Sequence, residues 1–165
     1  MNNRTNGDFS VIGGGHTGFV NAHYSTIGGG ERDTILSPHA TISGGLMNEI
    51  ATASQFSVIA GGDRNHVNAG LISVISGGTL DTIRSSNYSV IGGGMLNIVS
   101  DNADYSLISG GMRNHITRSD SSIIVGGASN YISNESDASF IGGGVNNEIA
   151  INGVLNVIGG GWTIS

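Results

Sequence analysis

The chain has 165 residues, a formal net charge of −6, no cysteine and only six basic residues, all of them arginine. The lack of cysteine excludes a disulfide framework, and the scarcity of positive charge argues against a nucleic-acid partner, whose phosphates need Lys or Arg. No apolar run approaches the roughly 20 residues that span a bilayer, so we expect no membrane span.

The motif Ile-x-Gly-Gly occurs ten times, at intervals of 15 to 17 residues. Its isoleucines are Ile12, Ile27, Ile42, Ile59, Ile75, Ile91, Ile108, Ile124, Ile141 and Ile158. Self-similarity at a short, nearly constant period indicates a solenoid in which each repeat forms one coil. The sequence therefore predicts an all-β, parallel β-solenoid of about ten coils. Residues 1–9 predict a polar lead-in, and residues 10–165 predict a single ten-coil domain.

Each coil contains two short sequence patterns typical of strands, one before and one after its glycine pair. If the isoleucine is position 0, position −2 is serine in eight coils, position +6 is Asn or Asp in eight, and position +8 is mostly Ile or Val. β-Branched residues with a spacing of two are typical of strands, and glycine tolerates the backbone conformations of a sharp turn. Alternation places positions 0 and +8 inside the coil.

The Asn/Asp position predicts a ladder of side chains that bond from coil to coil. Its asparagines are Asn48, Asn65, Asn97, Asn114, Asn130 and Asn147, and Asp33 and Asp81 occupy the same position. We expect this ladder and the isoleucine columns to be structural.

The strand that contains the isoleucine has a second, unexpected apolar side. Position −1 should point outward, yet it is apolar in eight of the ten coils. These residues are Val11, Val58, Val74, Val90, Leu107, Ile123, Phe140 and Val157. A strand that is apolar on both faces is normally buried on both faces. We therefore predict self-association along this strand; the alternative is an exposed sheet whose residues are simply good β-formers.

The strings S-V-I-G-G-G at Ser10–Gly15 and Ser89–Gly94 resemble the head repeats of YadA-type trimeric autotransporter adhesins and related repeats of phage and viral fibres. This resemblance extends over the ten coils, although coils of that family are shorter and have an Ala-rich second strand. It implies a left-handed β-roll, three chains packed side by side with the Ser-Val strand toward the axis, and surface attachment rather than catalysis.

Candidate chemistry is sparse along the rest of the chain. Asp104, Asp120 and Asp137 recur in three successive coils and could offer oxygen ligands to a hard cation, but we favour a solvated acidic edge as their explanation. His66 and His115 share a repeat position three coils apart, roughly 14 Å, which is too far for one metal. We expect no metal site, no cofactor and no catalytic residue.

The expected function is that of a non-enzymatic, homotrimeric fibre or head segment on an extracellular, cell or virion surface. Its partners would be further copies of the chain, with a host-surface glycan or protein as the other candidate. The alternatives are a monomeric solenoid that binds a glycan or another surface, and a β-helix polysaccharide lyase.

Overall fold

β-Branched residues on the two sides of each Gly-Gly turn form twenty short strands in the computed structural model, which describes residues 2–150 and 152–163. The strands are β1 (Arg4–Thr5), β2 (Val11–Ile12), β3 (Phe19–Val20), β4 (Thr26–Ile27), β5 (Thr34–Ile35), β6 (Thr41–Ile42), β7 (Glu49–Ile50), β8 (Val58–Ile59), β9 (His66–Asn68), β10 (Val74–Ile75), β11 (Thr82–Arg84), β12 (Val90–Ile91), β13 (Ile98–Ser100), β14 (Leu107–Ile108), β15 (His115–Thr117), β16 (Ile123–Ile124), β17 (Tyr131–Ile132), β18 (Phe140–Ile141), β19 (Glu148–Ile149) and β20 (Val157–Ile158). The described part of the chain contains no helix long and apolar enough to cross a membrane.

The strands assemble into two parallel ten-stranded sheets. Sheet A contains the odd-numbered strands and sheet B the even-numbered ones, each strand pairing with its equivalents in the adjacent coils. Register is kept residue for residue: Val74 pairs with Val90, and Ile75 with Ile91. A third in-register column of isolated bridges runs through position +4, from His16 to Trp162. The predicted all-β parallel solenoid of about ten coils is confirmed.

The core is a double column of aliphatic side chains between the two sheets. The isoleucines at position 0 from Ile27 to Ile141 are fully buried, whereas Ile12 and Ile158 in the end coils are only partly covered. At position +8, Val20, Val67, Val99 and the isoleucines between them are also buried. Burying one such side chain contributes about 1.5–3 kcal/mol to the stability of the fold. The regular spacing of Ile and Val therefore determines which residues fill the interior of each coil.

The first nine residues contain a strand and are not only a polar lead-in. β1 pairs in parallel with β3, because Arg4 and Thr5 precede Phe19 and Val20 by one 15-residue coil. Asn3 occupies the corresponding ladder position: its Nδ2 donates to the Gly14 and Gly15 carbonyls at 3.1 and 3.2 Å. The ladder therefore begins earlier than the predicted boundary at residue 10. The last two positions of the predicted domain, 164 and 165, lie outside the described residues.

Non-glycine residues in the left-handed conformation form two corners of each coil, at positions −3 and +5. Tyr24 has φ 56° and Arg64 has φ 55°. This conformation costs roughly 1–2 kcal/mol for an L-residue. A hydrogen bond to the preceding coil accompanies it: Tyr24 N–H donates to the Asp8 carbonyl at 3.0 Å, and Arg64 N–H to the Leu46 carbonyl at 2.8 Å. The corners thus add cross-coil bonds to those of the strands.

The second glycine of each pair is required by both conformation and space. Gly127 has φ +85°, and a β-carbon built on it would overlap the Gly144 carbonyl oxygen of the next coil and the Asn130 side chain of its own coil. Gly126, the first glycine of the same pair, would place a β-carbon in open space. A side chain at the second glycine would therefore clash with surrounding atoms, whereas one at the first glycine would not.

We expect Gly127→Ala to lower the free energy of unfolding by roughly 3 kcal/mol, because the new methyl group adds left-handed strain and a backbone clash. Gly126→Ala is the matched control and should change it by less than about 1 kcal/mol. Urea denaturation of the two variants checks this. Equal destabilisation by both substitutions would contradict the close approach of consecutive turns.

Candidate functional site

The outer face of sheet B is a mostly apolar surface that the described residues leave uncovered. It consists of positions −3, −1 and +1, which point away from the core, whereas positions −2 and 0 point inward. Position −1 contains Val11, Thr26, Thr41, Val58, Val74, Val90, Leu107, Ile123, Phe140 and Val157. The eight inner members are half-buried, while Val11 and Val157 in the end coils are 54% and 70% exposed. The column predicted to self-associate therefore lies on this outward face.

Position −3 forms a column of exposed side chains whose first part is aromatic. Phe9, Tyr24, His39 and Phe56 stack in succession with ring centroids 4.8 to 5.1 Å apart and planes within 9° of parallel. After Ile72, Tyr88 and Tyr105 stack at 4.8 Å. Because the rings lie face to face along the solenoid, their broad faces cover one another and mainly their edges meet solvent.

Position +1 forms the third column of the face, and its residues are small. They are Gly13, Gly28, Ser43, Ala60, Ser76, Gly92, Ser109, Val125, Gly142 and Gly159. None of the 12 acidic and 6 basic residues of the chain lies in the three columns of the ten described coils. The outer face of sheet A, in contrast, includes Arg4, Glu49 and Glu148 at position +7.

A buried serine ladder supports the face from behind. The hydroxyl of Ser89 donates to the Ala103 carbonyl at 3.0 Å and accepts the Ser106 N–H at 3.2 Å. Ser89 N–H in turn donates to Ser73 Oγ at 3.2 Å. Serine recurs at position −2 in eight coils because its one donor and two acceptor sites match this pattern. The apolar face therefore sits on a hydrogen-bonded backbone.

The Asn/Asp residues at position +6 are fully buried and bond from coil to coil. Asn97 N–H and Nδ2 both donate to Asp81 Oδ1, at 2.8 and 3.1 Å. Its Nδ2 also donates to the carbonyls of Gly93 and Gly111, each at 3.0 Å, and its Oδ1 accepts the Asn114 N–H at 3.1 Å. One side chain thus joins three consecutive coils. Asn48, Asn65, Asn114, Asn130 and Asn147 make the equivalent carbonyl contacts.

Asp33 and Asp81 occupy this ladder without the donor group that asparagine supplies. In both residues Oδ2 is buried and has no hydrogen-bond partner among the described residues. It takes the place of the asparagine Nδ2, which donates to two glycine carbonyls. Burial raises the pKa of both carboxyl groups, while hydrogen bonds from Asn48 to Asp33 and from Asn97 to Asp81 lower it. A protonated Oδ2 could donate where a carboxylate cannot.

The acidic corner lies on a separate edge of the solenoid. Asp120 Oδ1 accepts the Asp104 N–H, and Asp137 Oδ1 accepts the Asp120 N–H, each at 2.8 Å. Burial raises the pKa of Asp120, the bond from Asp104 lowers it, and the charges of Asp104 and Asp137 raise it again. Next to them lies an open groove of about 290 Å³ that also contains Arg118 and Glu135. Among the described residues no three His, Asp or Glu side chains are placed to hold a metal ion.

One Ser–His pair lies on the outer side of sheet A. Ser100 Oγ is 3.1 Å from His115 Nε2 and 3.3 Å from Asp101 Oδ2, and Thr117 Oγ1 is also 3.3 Å from that carboxylate. Burial lowers the pKa of His115, while Asp101 raises it and Arg84 lowers it. Because Ser100 is fully buried, its hydroxyl cannot reach a substrate. These hydrogen bonds join neighbouring coils.

A column of small residues at position −5 completes the interior and was missed in the sequence analysis. It contains Gly7, Ala22, Ser37, Ser54, Gly70, Ser86, Ala103, Ser119, Ser136 and Gly153. Ser86 shows its role: its Oγ accepts the Ala103 N–H at 3.1 Å. Counting backward from each isoleucine would have shown it, because the variable insertion lies between positions +8 and −5. A count forward from each isoleucine hides the column, because the insertion shifts these residues from coil to coil.

Comparison with models of known protein families and with curated proteins finds no match to this chain. The fold therefore defines its class, a parallel β-solenoid.

We expect Asp81→Asn to raise the free energy of unfolding by about 1–3 kcal/mol at neutral pH, because it restores the donor that the ladder lacks. The native pKa of Asp81 is raised, so the unfolded chain releases this proton first as the pH increases. The wild-type chain then loses stability until the pH passes the native pKa. The advantage of the variant should be small near pH 3 and increase above about pH 4.

The reciprocal control is Asn97→Asp, which should be destabilising by a similar amount and more so at higher pH. Urea denaturation across pH 3 to 8 measures both variants. A stabilisation by Asp81→Asn that does not change with pH would show that the buried carboxyl group is not the cause.

Proposed function

We propose that this protein is a non-enzymatic structural and attachment protein, a left-handed β-roll in which three copies pack through the outer face of sheet B. The assembly would form a rigid fibre or head segment at a cell or virion surface, with further copies of the chain as its principal partner. The observation that carries the proposal is the uncharged, largely apolar face that runs the whole length of the solenoid.

The composition of the face supports burial between copies rather than contact with water. The charged residues of the chain lie elsewhere, although solvated β-surfaces normally carry them. Phe9, Tyr24, Phe56 and Tyr105 are each more than half exposed in the single chain. A continuous apolar surface of this size marks an interaction site in a soluble protein.

A glycan-binding solenoid is less well supported by the same residues. Sugars usually stack on the open face of an aromatic ring, whereas the rings from Phe9 to Phe56 are stacked on one another. Location at an outer surface follows from the resemblance of the S-V-I-G-G-G strings to adhesin and fibre repeats. The solenoid's rigidity fits that location, because its coils are joined along several parallel ladders.

A pair of matched substitutions in one coil tests the proposal. Val90 and Ile98 are both aliphatic and half-buried, but Val90 lies on the outer face of sheet B and Ile98 on that of sheet A. We expect Val90→Asp to dissociate the trimer, because it places an unpaired charge in the interface. Ile98→Asp should leave the assembly intact.

Sedimentation velocity measures the assembly, and circular dichroism verifies that both variants remain folded. A wild-type trimer that survives Val90→Asp, or dissociates only with Ile98→Asp, would place the interface elsewhere. A wild-type chain that sediments as a monomer would contradict the proposal as a whole.

A further inference from the structure

We infer that the copies associate in parallel and in register, with position −3 of each coil packed against position +1 of the same coil in the neighbouring copy. The inference rests on the proposed self-association and specifies its geometry. Position −1 would then lie nearest the common axis and meet its own equivalents.

Residue size along the face is the first reason. From the first coil to the seventh, position −3 holds Phe9, Tyr24, His39, Phe56, Ile72, Tyr88 and Tyr105, and position +1 of the same coils holds only Gly, Ser or Ala. In the eighth coil the sizes are exchanged: position −3 is Ser121 and position +1 is Val125, the one large residue of its column. Bulk on one edge is thus balanced by space on the other edge of the same coil.

The ninth coil follows the same rule in a different way. Its largest residue is at position −1, Phe140, and both of its edge residues are small, Ala138 and Gly142. A single exposed chain has no need for such compensation, because solvent fills any gap. Two closely packed surfaces do need it, since both voids and overlaps are destabilising.

The direction of packing follows from which columns meet. Around an axis parallel to the solenoid, the −3 edge of one copy faces the +1 edge of the next. A large residue then meets a small one in every coil except the ninth, where both edge residues are small. In an antiparallel pair each column would face itself. Phe56 would then oppose Tyr105, and Gly28 would oppose Gly142. Side chains would overlap along one edge of the interface, and a gap would remain along the other.

The period of the surface identifies a second copy as the occupant. Its side chains repeat every 4.8 to 5.1 Å along the stacked rings, and only a partner with the same repeat can match ten levels at once. The face measures about 45 Å by 15 Å, or roughly 700 Å², from the coil and residue spacings. In a trimer each copy would bury this face against two neighbours together, and the area is close to the roughly 800 Å² that one chain contributes to a standard stable interface.

Cysteine cross-linking tests the register, because the natural chain has no cysteine. A tagged Ser121→Cys chain is co-expressed with an untagged Val125→Cys chain, and both substitutions lie at exposed positions that leave the core intact. We expect most of the mixed assembly to form a tagged–untagged disulfide under mild oxidation, since that bond requires α-carbons within about 7 Å.

A second pair detects the opposite arrangement. Val58→Cys and Leu107→Cys would face each other only in an antiparallel pair, so their mixed disulfide should be absent. Its formation would overturn the inference, as would the lack of a Ser121–Val125 bond in chains that light scattering shows to be associated. If the same chains are monomeric, the proposed self-association fails, and the register fails with it.

Discussion

The constraint on which this structure depends is that every coil lies directly on the next in register. Each residue therefore meets its equivalent from the adjacent coil, about 4.8 Å away, and each column must consist of residues that satisfy one another. Isoleucine does so by packing, serine by donating and accepting at once, and asparagine by joining three coils through its amide. This requirement explains why the period of the sequence is nearly constant.

The same constraint determines what the surface can do. A residue type that recurs at one position of the coil forms a column along the solenoid. The apolar residues at position −1 form a continuous apolar stripe, and the aromatic residues at position −3 form stacks of rings. Such a surface is long, narrow and periodic. It can match a binding partner whose surface repeats with the same spacing, and another copy of the chain is such a partner.

The coil count, the strand positions and the inward columns could be predicted because Ile and Gly mark each repeat. The left-handed corners at Tyr24 and Arg64 could not, because bulky residues rarely adopt that conformation and the accompanying bond to the preceding coil is a feature of the fold. The strand at Arg4–Thr5 was not predicted because no isoleucine of the repeat motif precedes it. The orphan Oδ2 atoms of Asp33 and Asp81 depend on the directions of glycine carbonyls, which a sequence does not display.

The central claim is that the outer face of sheet B is covered by further copies of the chain. The absolute mass of the unmodified protein in solution, measured by light scattering on a sizing column over a range of concentrations, tests it most directly. The account predicts a mass near three times the chain mass of 16.7 kDa. A folded protein that keeps the mass of one chain at every concentration would contradict it.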